Sequence, residues 1–179
     1  HGPGQPLLNS VTGEKDRLEL MMPLAAEFKT RLVALAMDDS GMPETVDARL
    51  KAVETILKSA DAHGVPHENI FVDPLIRPIS TNPTHAADCM ETVRRIKAEL
   101  SPVKTIGGLS NVSFGLPNRN LINRTFLAMM LAAGVDAGII DPLEKGAMAT
   151  ILAAEALLAR DDYCVNFIQA SRSGALDEI

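Results

Sequence analysis

The chain has 179 residues, of which 46% are hydrophobic and 22% charged, and its 17 basic and 23 acidic side chains give a formal net charge of −6. The length allows one domain with a sizeable core, and the acidic balance argues against nucleic acid or an anionic membrane surface as the main partner. No apolar run reaches the roughly 18 residues of a membrane span, so we expect no membrane partner.

Five short apolar runs predict β-strands. They are rich in leucine and β-branched residues without polar alternation, which is typical of strands buried on both faces of a parallel sheet. The predicted strands cover residues 6–9, 31–37, 69–73, 104–108 and 137–140.

Amphipathic patterns between these runs predict helices, and Gly64 and Gly134 follow two of them as typical C-terminal stops. The predicted helices cover residues 14–29, 43–62, 84–100, 119–133, 143–158 and 162–171. The alternation of strand and helix predicts one α/β domain over residues 1–179, with a parallel sheet and right-handed crossovers.

The spacing of the strands, roughly 25 to 40 residues, suits the units of a (β/α)8 barrel. A full barrel has about 250 residues, so five units leave it about three units short. A five-stranded doubly wound sheet also fits the length, although the first strand–helix turn, residues 9–14, has no G-x-G-x-x-G phosphate loop. Length alone leaves both folds open.

Small polar residues end every predicted strand. Because the carboxyl ends of parallel strands meet at one edge of the sheet, we expect these residues to converge around one mouth. They are Asn9, Asp38, Asp73, Asn111 and Asp141. Asn and Asp are also common in turns and helix caps, and we assign Asp39 and Asp141 most readily to that structural role.

The stretch 107–119 after the fourth strand is rich in glycine, serine and asparagine, so its backbone can approach a ligand and its side chains supply neutral donors and acceptors. None of the four histidines lies at a strand end, which favours solvated or capping roles for them. Without a nucleophile at the mouth, covalent catalysis is disfavoured. Asn and Asp instead suit a flat heterocycle with an amidine-like edge, such as a pterin.

The two cysteines, Cys89 and Cys164, lie on different predicted helices and lack the spacing of metal ligands. We therefore expect a reduced, cytoplasmic setting.

Four ordered motifs resemble one family, the methyltetrahydrofolate:corrinoid protein methyltransferases among the pterin-binding enzymes. They are the sequences L-N-S-V-T-G-E from Leu8, F-V-D-P-L from Phe71, G-L-S-N-V-S from Gly108 with Asn118-Arg119, and N-R-T-F-L-A-M from Asn123. The resemblance runs from residue 6 almost to the end of the chain.

The resemblance implies a TIM barrel that binds methyltetrahydrofolate in its mouth and usually forms a homodimer. It implies that Asn9 and Asp73 hold the pterin ring, and that Asn111 forms a hydrogen bond near N5 and is the catalytic residue. Residues implied to line the same pocket are Gly108, Ser110 and Arg119. The methyl group would pass to the cobalt of a corrinoid (cobalamin type) carried by a partner protein, with no tightly bound metal in this chain.

Two departures from the family pattern matter. The family's first three strands, with another pterin-binding Asp, have no counterpart, so the chain is identified as an N-terminally truncated member with only the last five β/α units. We expect it to bind folate weakly or not at all on its own. At Phe114 some relatives carry Gln, which puts one polar contact to the pterin in doubt.

Two alternatives stay open. Dihydropteroate synthase shares the fold, but it would need a lysine where this chain has Ser110-Asn111-Val112 and an Arg-x-His pair near Asp141, so it fits poorly. A non-catalytic folate-binding fragment would keep the motifs without turnover.

Overall fold

The computed structural model describes residues 4–176 and contains a single five-stranded parallel sheet in the order β1-β2-β3-β4-β5. The strands are β1 (Leu7–Val11), β2 (Arg31–Leu35), β3 (Ile70–Asp73), β4 (Lys104–Gly108) and β5 (Ala137–Ile139). The helices are α1 (Lys15–Glu27), α2 (Val46–His63), α3 (His85–Glu99), α4 (Arg119–Ala133), α5 (Lys145–Leu157) and α6 (Val165–Arg172).

The strand order distinguishes the two folds that length left open. A doubly wound sheet reverses its strand order at a switch point, whereas here each strand lies beside the next one in sequence. Sequential parallel strands with intervening helices form an arc of a (β/α)8 barrel. The predicted α/β class and the five barrel units are confirmed.

Side chains of the sheet alternate between two faces. Those directed toward the helices form the larger core with α1 and α2, and include Leu32, Ala34, Ile70 and Val72. On the other face, which we call the concave face, a small cluster of Val33, Phe71 and Ile106 packs with Leu35 and Ala137. In a closed barrel this face is the interior.

The two outer strands differ from the inner ones in burial. The middle residues of β2, β3 and β4 are buried, as predicted. The prediction of burial on both faces is wrong for β1 and β5, where Leu7 is 43% and Ile139 49% exposed. Among the described residues 4–176, each of these strands has a hydrogen-bonded neighbour on one side only, so the arc is open at both edges.

Local sequence signals account for the helix ends. Thr45 caps α2 by accepting a hydrogen bond from the Ala48 N–H at 3.1 Å. Gly64 and Gly134 end α2 and α4 with φ of 69° and 99°, a backbone conformation that glycine adopts without strain. These two predicted stops are confirmed. No helix within residues 4–176 is long and apolar enough to cross a membrane.

A hydrogen-bond network ties the amino ends of β4 and β5 together; we call Lys97, Thr105 and Asp136 the amino-end network. The Asp136 carboxylate accepts from the Thr105 N–H at 2.8 Å and from its hydroxyl at 3.0 Å. Lys97 Nζ donates to the other carboxylate oxygen at 2.6 Å. Both oxygens of the Asp136 carboxylate therefore have hydrogen-bond donors, and these bonds hold the amino ends of β4 and β5 together.

Candidate functional site

Asn9 and Asp73 both lie on the concave face, but only Asp73 ends its strand. The predicted strand end at Asn9 is wrong, because β1 continues to Val11 and Asn9 is its middle residue. The register pairs Asn9 with Val33 and Val33 with Phe71, so these three side chains share a face. Asp73 follows Phe71 by two positions and therefore shares it too. The structure thus brings an exposed amide and a partly buried carboxylate to the same side of the sheet.

Asp73 is a carboxylate with spare hydrogen-bonding capacity. Its Oδ1 accepts from the Leu75 N–H at 2.8 Å. Burial raises the pKa of Asp73 above its ordinary value, although backbone N–H donors from Leu75 and Ile76 act in the opposite direction. A carboxylate that is poorly compensated for its burial is a candidate binding group for a ligand with N–H donors.

Leu75, next to this carboxylate, has a φ of 63°, in the left-handed region that bulky side chains avoid. Such conformations persist where the surroundings impose them, and they concentrate at functional loops. Leu75 therefore adopts an unfavourable backbone conformation at the point where its N–H donates to Asp73.

Asn111 lies on a 3₁₀ turn, Leu109–Ser113, directly after β4. A Cβ atom built on Gly108 would lie 3.3 Å from Asn111 Nδ2. Gly108 follows Ile106 by two positions, so that Cβ would point to the concave face. The Asn111 amide therefore lies over the concave end of β4, in space that the absence of a Gly108 side chain provides.

The amides of Asn9 and Asn111 are both free. Within residues 4–176, no side chain or backbone group forms a hydrogen bond with either amide side chain. Asn111 is exposed, so it can donate to or accept from a molecule that enters the mouth.

The sequence predicted a polar loop in place of this turn, and it did not predict the burial of two of the turn's residues. Leu109 and Val112 are 2% and 1% exposed and belong to the core between α3 and α4. Their spacing of three residues, which places both on one side of a 3₁₀ turn, was the available signal.

Arg119 and Ser110 are in contact with each other. Arg119 Nη2 donates to the Ser110 carbonyl at 2.7 Å, and Arg119 Nε donates to Ser113 Oγ at 3.0 Å. Ser113 is fully buried, and its hydroxyl donates to Asn123 Oδ1 at 2.7 Å. We call Ser113, Arg119 and Asn123 the carboxyl-end network. Sequence reasoning did not identify Ser113 or Asn123 as individual contributors.

Three other acidic residues that follow the strands also accept hydrogen bonds from backbone N–H groups. Asp38 Oδ1 accepts from the Ser40 N–H at 2.9 Å, and Asp39 Oδ2 accepts from the Lys15 N–H at 3.2 Å. Asp141 Oδ1 accepts from the Leu143 N–H at 2.9 Å. The structural role predicted for Asp39 and Asp141 is confirmed, and Asp38 shares it.

The histidines bear out the sequence reasoning in part. His63 is exposed and bonds to the Ser59 carbonyl, and His67 pairs with Asp61. His85 is not solvated as predicted: it is 5% exposed and its ring bonds to the Pro78 carbonyl at 2.8 Å. The fourth, His1, lies outside the described residues.

Neither cysteine provides a nucleophile at the mouth. Both are free, Cys89 buried in α3 and Cys164 exposed before α6. Burial raises the pKa of the Cys89 thiol to about 12, so the thiolate that would attack a substrate is scarce at neutral pH.

Phe114, which follows the turn, is 65% exposed, and the Arg119 guanidinium lies 5.9 Å from its ring centre. The side chain at this position therefore offers an apolar surface and a cation–π partner rather than a polar contact.

Two cavities lie away from the concave face. One of about 200 Å³ is lined in part by Ser110, Asn123 and Asp141, and another of about 580 Å³ lies near the amino end of β5. Neither is lined by the concave-face residues Asn9, Asp73 or Asn111.

Barrel proteins bind small molecules through polar side chains at the carboxyl ends of their parallel strands, and the arrangement described above is of this class. The family model described as "Pterin binding enzyme" matches residues 2–141, and the chain belongs to this family. The predicted family resemblance is confirmed.

Curated relatives of two kinds are among those that match. The chain is 30% identical over 175 residues to the methylcorrinoid:tetrahydrofolate methyltransferase of Eubacterium limosum, covering 97% of this chain and 65% of that protein. It is 30% and 31% identical over 152 residues to the methionine synthases of Mycobacterium tuberculosis and Mycobacterium leprae, covering 78% of this chain and 13% of each. The chain thus spans less than two thirds of the length of these relatives.

Proposed function

We propose that this chain belongs to a methyltransferase that moves the N5-methyl group between methyltetrahydrofolate and the cobalt of a corrinoid protein. The observation that carries the proposal is the free Asn111 amide over Gly108, on the same face as the poorly compensated carboxylate of Asp73. The names of the relatives, a methylcorrinoid:tetrahydrofolate methyltransferase and two methionine synthases, support it.

The donor set suits recognition of a pterin. Asp73 would accept two parallel N–H bonds from the amidine-like edge of the ring, which would compensate the carboxylate for its burial. Asn9 would pair with adjacent N–H and C=O groups. Gly108, Ser110 and Arg119 would line the remaining wall of the pocket.

The same set suits a reaction whose nucleophile comes from outside the chain. The reduced cobalt of the corrinoid supplies that nucleophile when methyl leaves the folate. As the C–N5 bond breaks, its electron pair stays on N5, which takes up a proton from solvent to become an N–H. A hydrogen-bond donor at N5 would stabilise the nitrogen as it departs. Asn111 can donate to N5 without competing for the methyl group, and removal of one such donor typically costs about 10²- to 10³-fold in rate.

The proposed assembly follows the family resemblance: a homodimeric, cytoplasmic enzyme of one-carbon metabolism, with a separate corrinoid protein as partner. No resident metal of this chain takes part in the proposed mechanism.

A transfer assay tests the proposal. In the full-length protein, methyl transfer from methyltetrahydrofolate to cob(I)alamin should fall about 10²-fold or more in Asn111→Ala, while the Kd for methyltetrahydrofolate changes little. Asn120→Ala is the matched control, because Asn120 is an exposed amide nine residues further on that is not among the proposed site residues. Binding without transfer in the unchanged protein would instead indicate a non-catalytic folate-binding protein.

The open arc leads to a second test. Because β1 and β5 lack outer neighbours, a pterin on the concave face would lose part of its hydrogen-bonding wall. Two lost hydrogen bonds of about 1–1.5 kcal/mol each weaken binding about 30- to 150-fold. Calorimetry should therefore show much weaker methyltetrahydrofolate binding by the isolated 179-residue chain than by a full-length version. Equal affinities would refute this expectation.

A further inference from the structure

The carboxyl-end network lies directly behind the turn that carries Asn111. We propose that Ser113, Arg119 and Asn123 are positioning residues that hold the 3₁₀ turn, and with it the Asn111 amide, in the geometry that methyl transfer requires. This inference rests on the proposed function for its catalytic consequence, but its structural content can be tested separately.

The network joins two elements that meet at the site. Arg119 and Asn123 lie four residues apart in the first turns of α4, so their side chains share one face of that helix. Both converge on the hydroxyl of Ser113, which is the last residue of the turn. Helix α4 is therefore hydrogen-bonded to the last residue of the turn.

A second contact fixes the turn closer to Asn111. Arg119 Nη2 donates to the carbonyl of Ser110, the residue immediately before Asn111. The guanidinium thus bonds on both sides of Asn111, to Ser110 and to Ser113. With planar, fixed donors at both points, the backbone of the turn has little freedom to rotate the Asn111 amide away from Gly108.

The burial of Ser113 makes the arrangement specific. Its hydroxyl is fully buried and holds a single proton, which the shorter contact of 2.7 Å assigns to Asn123 Oδ1, in preference to Ser110 O at 3.3 Å. Its lone pairs then face Arg119 Nε. Each atom has one role, so the network has a single arrangement of donors and acceptors.

The chain offers a matched control at the other end of β4. Thr105 is also a fully buried hydroxyl residue, and it also joins two elements through a small polar network, the amino-end network. Thr105→Val removes hydroxyl bonds comparable to those removed by Ser113→Ala, but far from Asn111 along the strand.

The test compares Ser113→Ala, Asn123→Leu and Thr105→Val in the full-length protein. We expect Ser113→Ala and Asn123→Leu to lower kcat for transfer to cob(I)alamin about 10- to 100-fold, since small misplacement of a catalytic group has effects of this size. KM for methyltetrahydrofolate should stay within about threefold, and Asn123→Asp, which keeps the acceptor, should restore kcat. Thr105→Val should lower the melting temperature with kcat unchanged.

Hydrogen exchange separates this inference from the proposed function. The amides of Phe114 and Leu116 donate to the Asn111 and Ser113 carbonyls. Their exchange should accelerate in Ser113→Ala and not in Thr105→Val, whether or not the protein transfers methyl groups. Unchanged exchange, or a loss of kcat in Thr105→Val equal to that in Ser113→Ala, would overturn the positioning role. Faster exchange in a protein without transfer would refute only the proposed function.

Discussion

The two ends of β4 are built from similar residues and differ in what they leave unpaired. At the amino end, the Asp136 carboxylate has donors on both oxygens, from Thr105 and Lys97. At the carboxyl end, a similar network is satisfied, but the neighbouring Asn111 amide and the Asp73 carboxylate keep free capacity. Barrel proteins generally use their amino-terminal face for stability and their carboxyl-terminal face for function, and this strand shows that division in its hydrogen bonds.

The largest expected effect comes from removing the charge of the carboxylate at each end. Asp73→Asn should weaken methyltetrahydrofolate binding about 100-fold, because a charge-assisted pair is worth roughly 1.5–3 kcal/mol. The amide oxygen can still accept from Leu75, so the variant should fold. Calorimetric titration measures the change.

Asp136→Asn is the matched control for that experiment. It should leave folate affinity unchanged and lower the free energy of unfolding by about 1 kcal/mol, since it weakens the bonds to Thr105 and Lys97. If Asp136→Asn lost folate affinity and Asp73→Asn did not, the division between the two ends would be wrong.

The pH dependence of stability tests whether the Asp73 carboxylate is poorly compensated for its burial. Because burial raises the pKa of Asp73, the folded state binds a proton more tightly than the unfolded state. The stability associated with protonated Asp73 is present below its ordinary pKa and is lost as pH rises through the raised value. Asp73→Asn should therefore be more stable than the unchanged protein at neutral pH.

Denaturant unfolding at several pH values measures this difference, which should shrink as pH falls toward and below the ordinary pKa of an aspartate. A variant that is less stable than the unchanged protein at neutral pH would show that the Asp73 carboxylate is well compensated in the folded state.

A smaller effect is expected from crowding the Asn111 amide. In Gly108→Ala the new Cβ would lie 3.3 Å from Asn111 Nδ2, so the amide must shift by a few tenths of an ångström. The backbone of Gly108 has φ of −78°, which alanine tolerates. We expect transfer to slow about tenfold, in line with the sensitivity of catalysis to position, with little loss of stability.

A double-mutant cycle tests the cause. In the Asn111→Ala background the contact no longer exists, so Gly108→Ala should have almost no further effect on the transfer rate. An undiminished effect there would mean that the alanine acts on another part of the pocket.

The smallest effects should come from the two ends of α4. Asn118 precedes the helix with φ of 51° and Gly134 ends it with φ of 99°. Alanine at Gly134 should cost about 1–2 kcal/mol in the free energy of unfolding, because its Cβ disfavours positive φ. Alanine at Asn118 should cost less, because asparagine already carries a Cβ but tolerates positive φ better than alanine does. Asn118→Ala should in addition slow transfer slightly, since α4 begins there with Arg119, whereas Gly134→Ala should not.

Thermal melting and the transfer assay together measure both effects. Asn118→Gly serves as the control, because glycine accepts this backbone and should restore both stability and rate. Equal changes of rate at the two ends of α4 would argue against a special role for its first turn.

The sequence determined the succession of elements because the signals involved are local. Apolar runs such as 69–73 and amphipathic repeats such as 43–62 predict their structure from neighbours a few residues away. Gly64 and Gly134 could be recognised as helix stops because positive φ is a property of single residues. The four motifs likewise indicated the family, since motif order is contained in the chain.

Burial was less predictable, because it depends on which elements meet in space. Arg49 lies in the first turn of α2 and is fully buried, with Nη1 3.4 Å from Thr92 Oγ1 of α3. A charged residue is normally expected on the solvent side of a helix. Similarly, β1 and β5 have the composition of inner strands, and only the sheet order shows them to be edges.

For the candidate site, the sequence by itself determined which residue types stand at the strand ends, and hence Asn9, Asp73, Asn111 and the pterin-like chemistry they suggest. Only the tertiary structure decided which of these groups are free. Asp38, Asp39, Asp73 and Asp141 each accept a hydrogen bond from a backbone N–H, whereas the Asn111 amide is left unpaired over Gly108 and is flanked by the contacts of Arg119. The physical reason is that a hydrogen bond depends on distance and angle between groups that folding brings together, which composition and spacing do not specify.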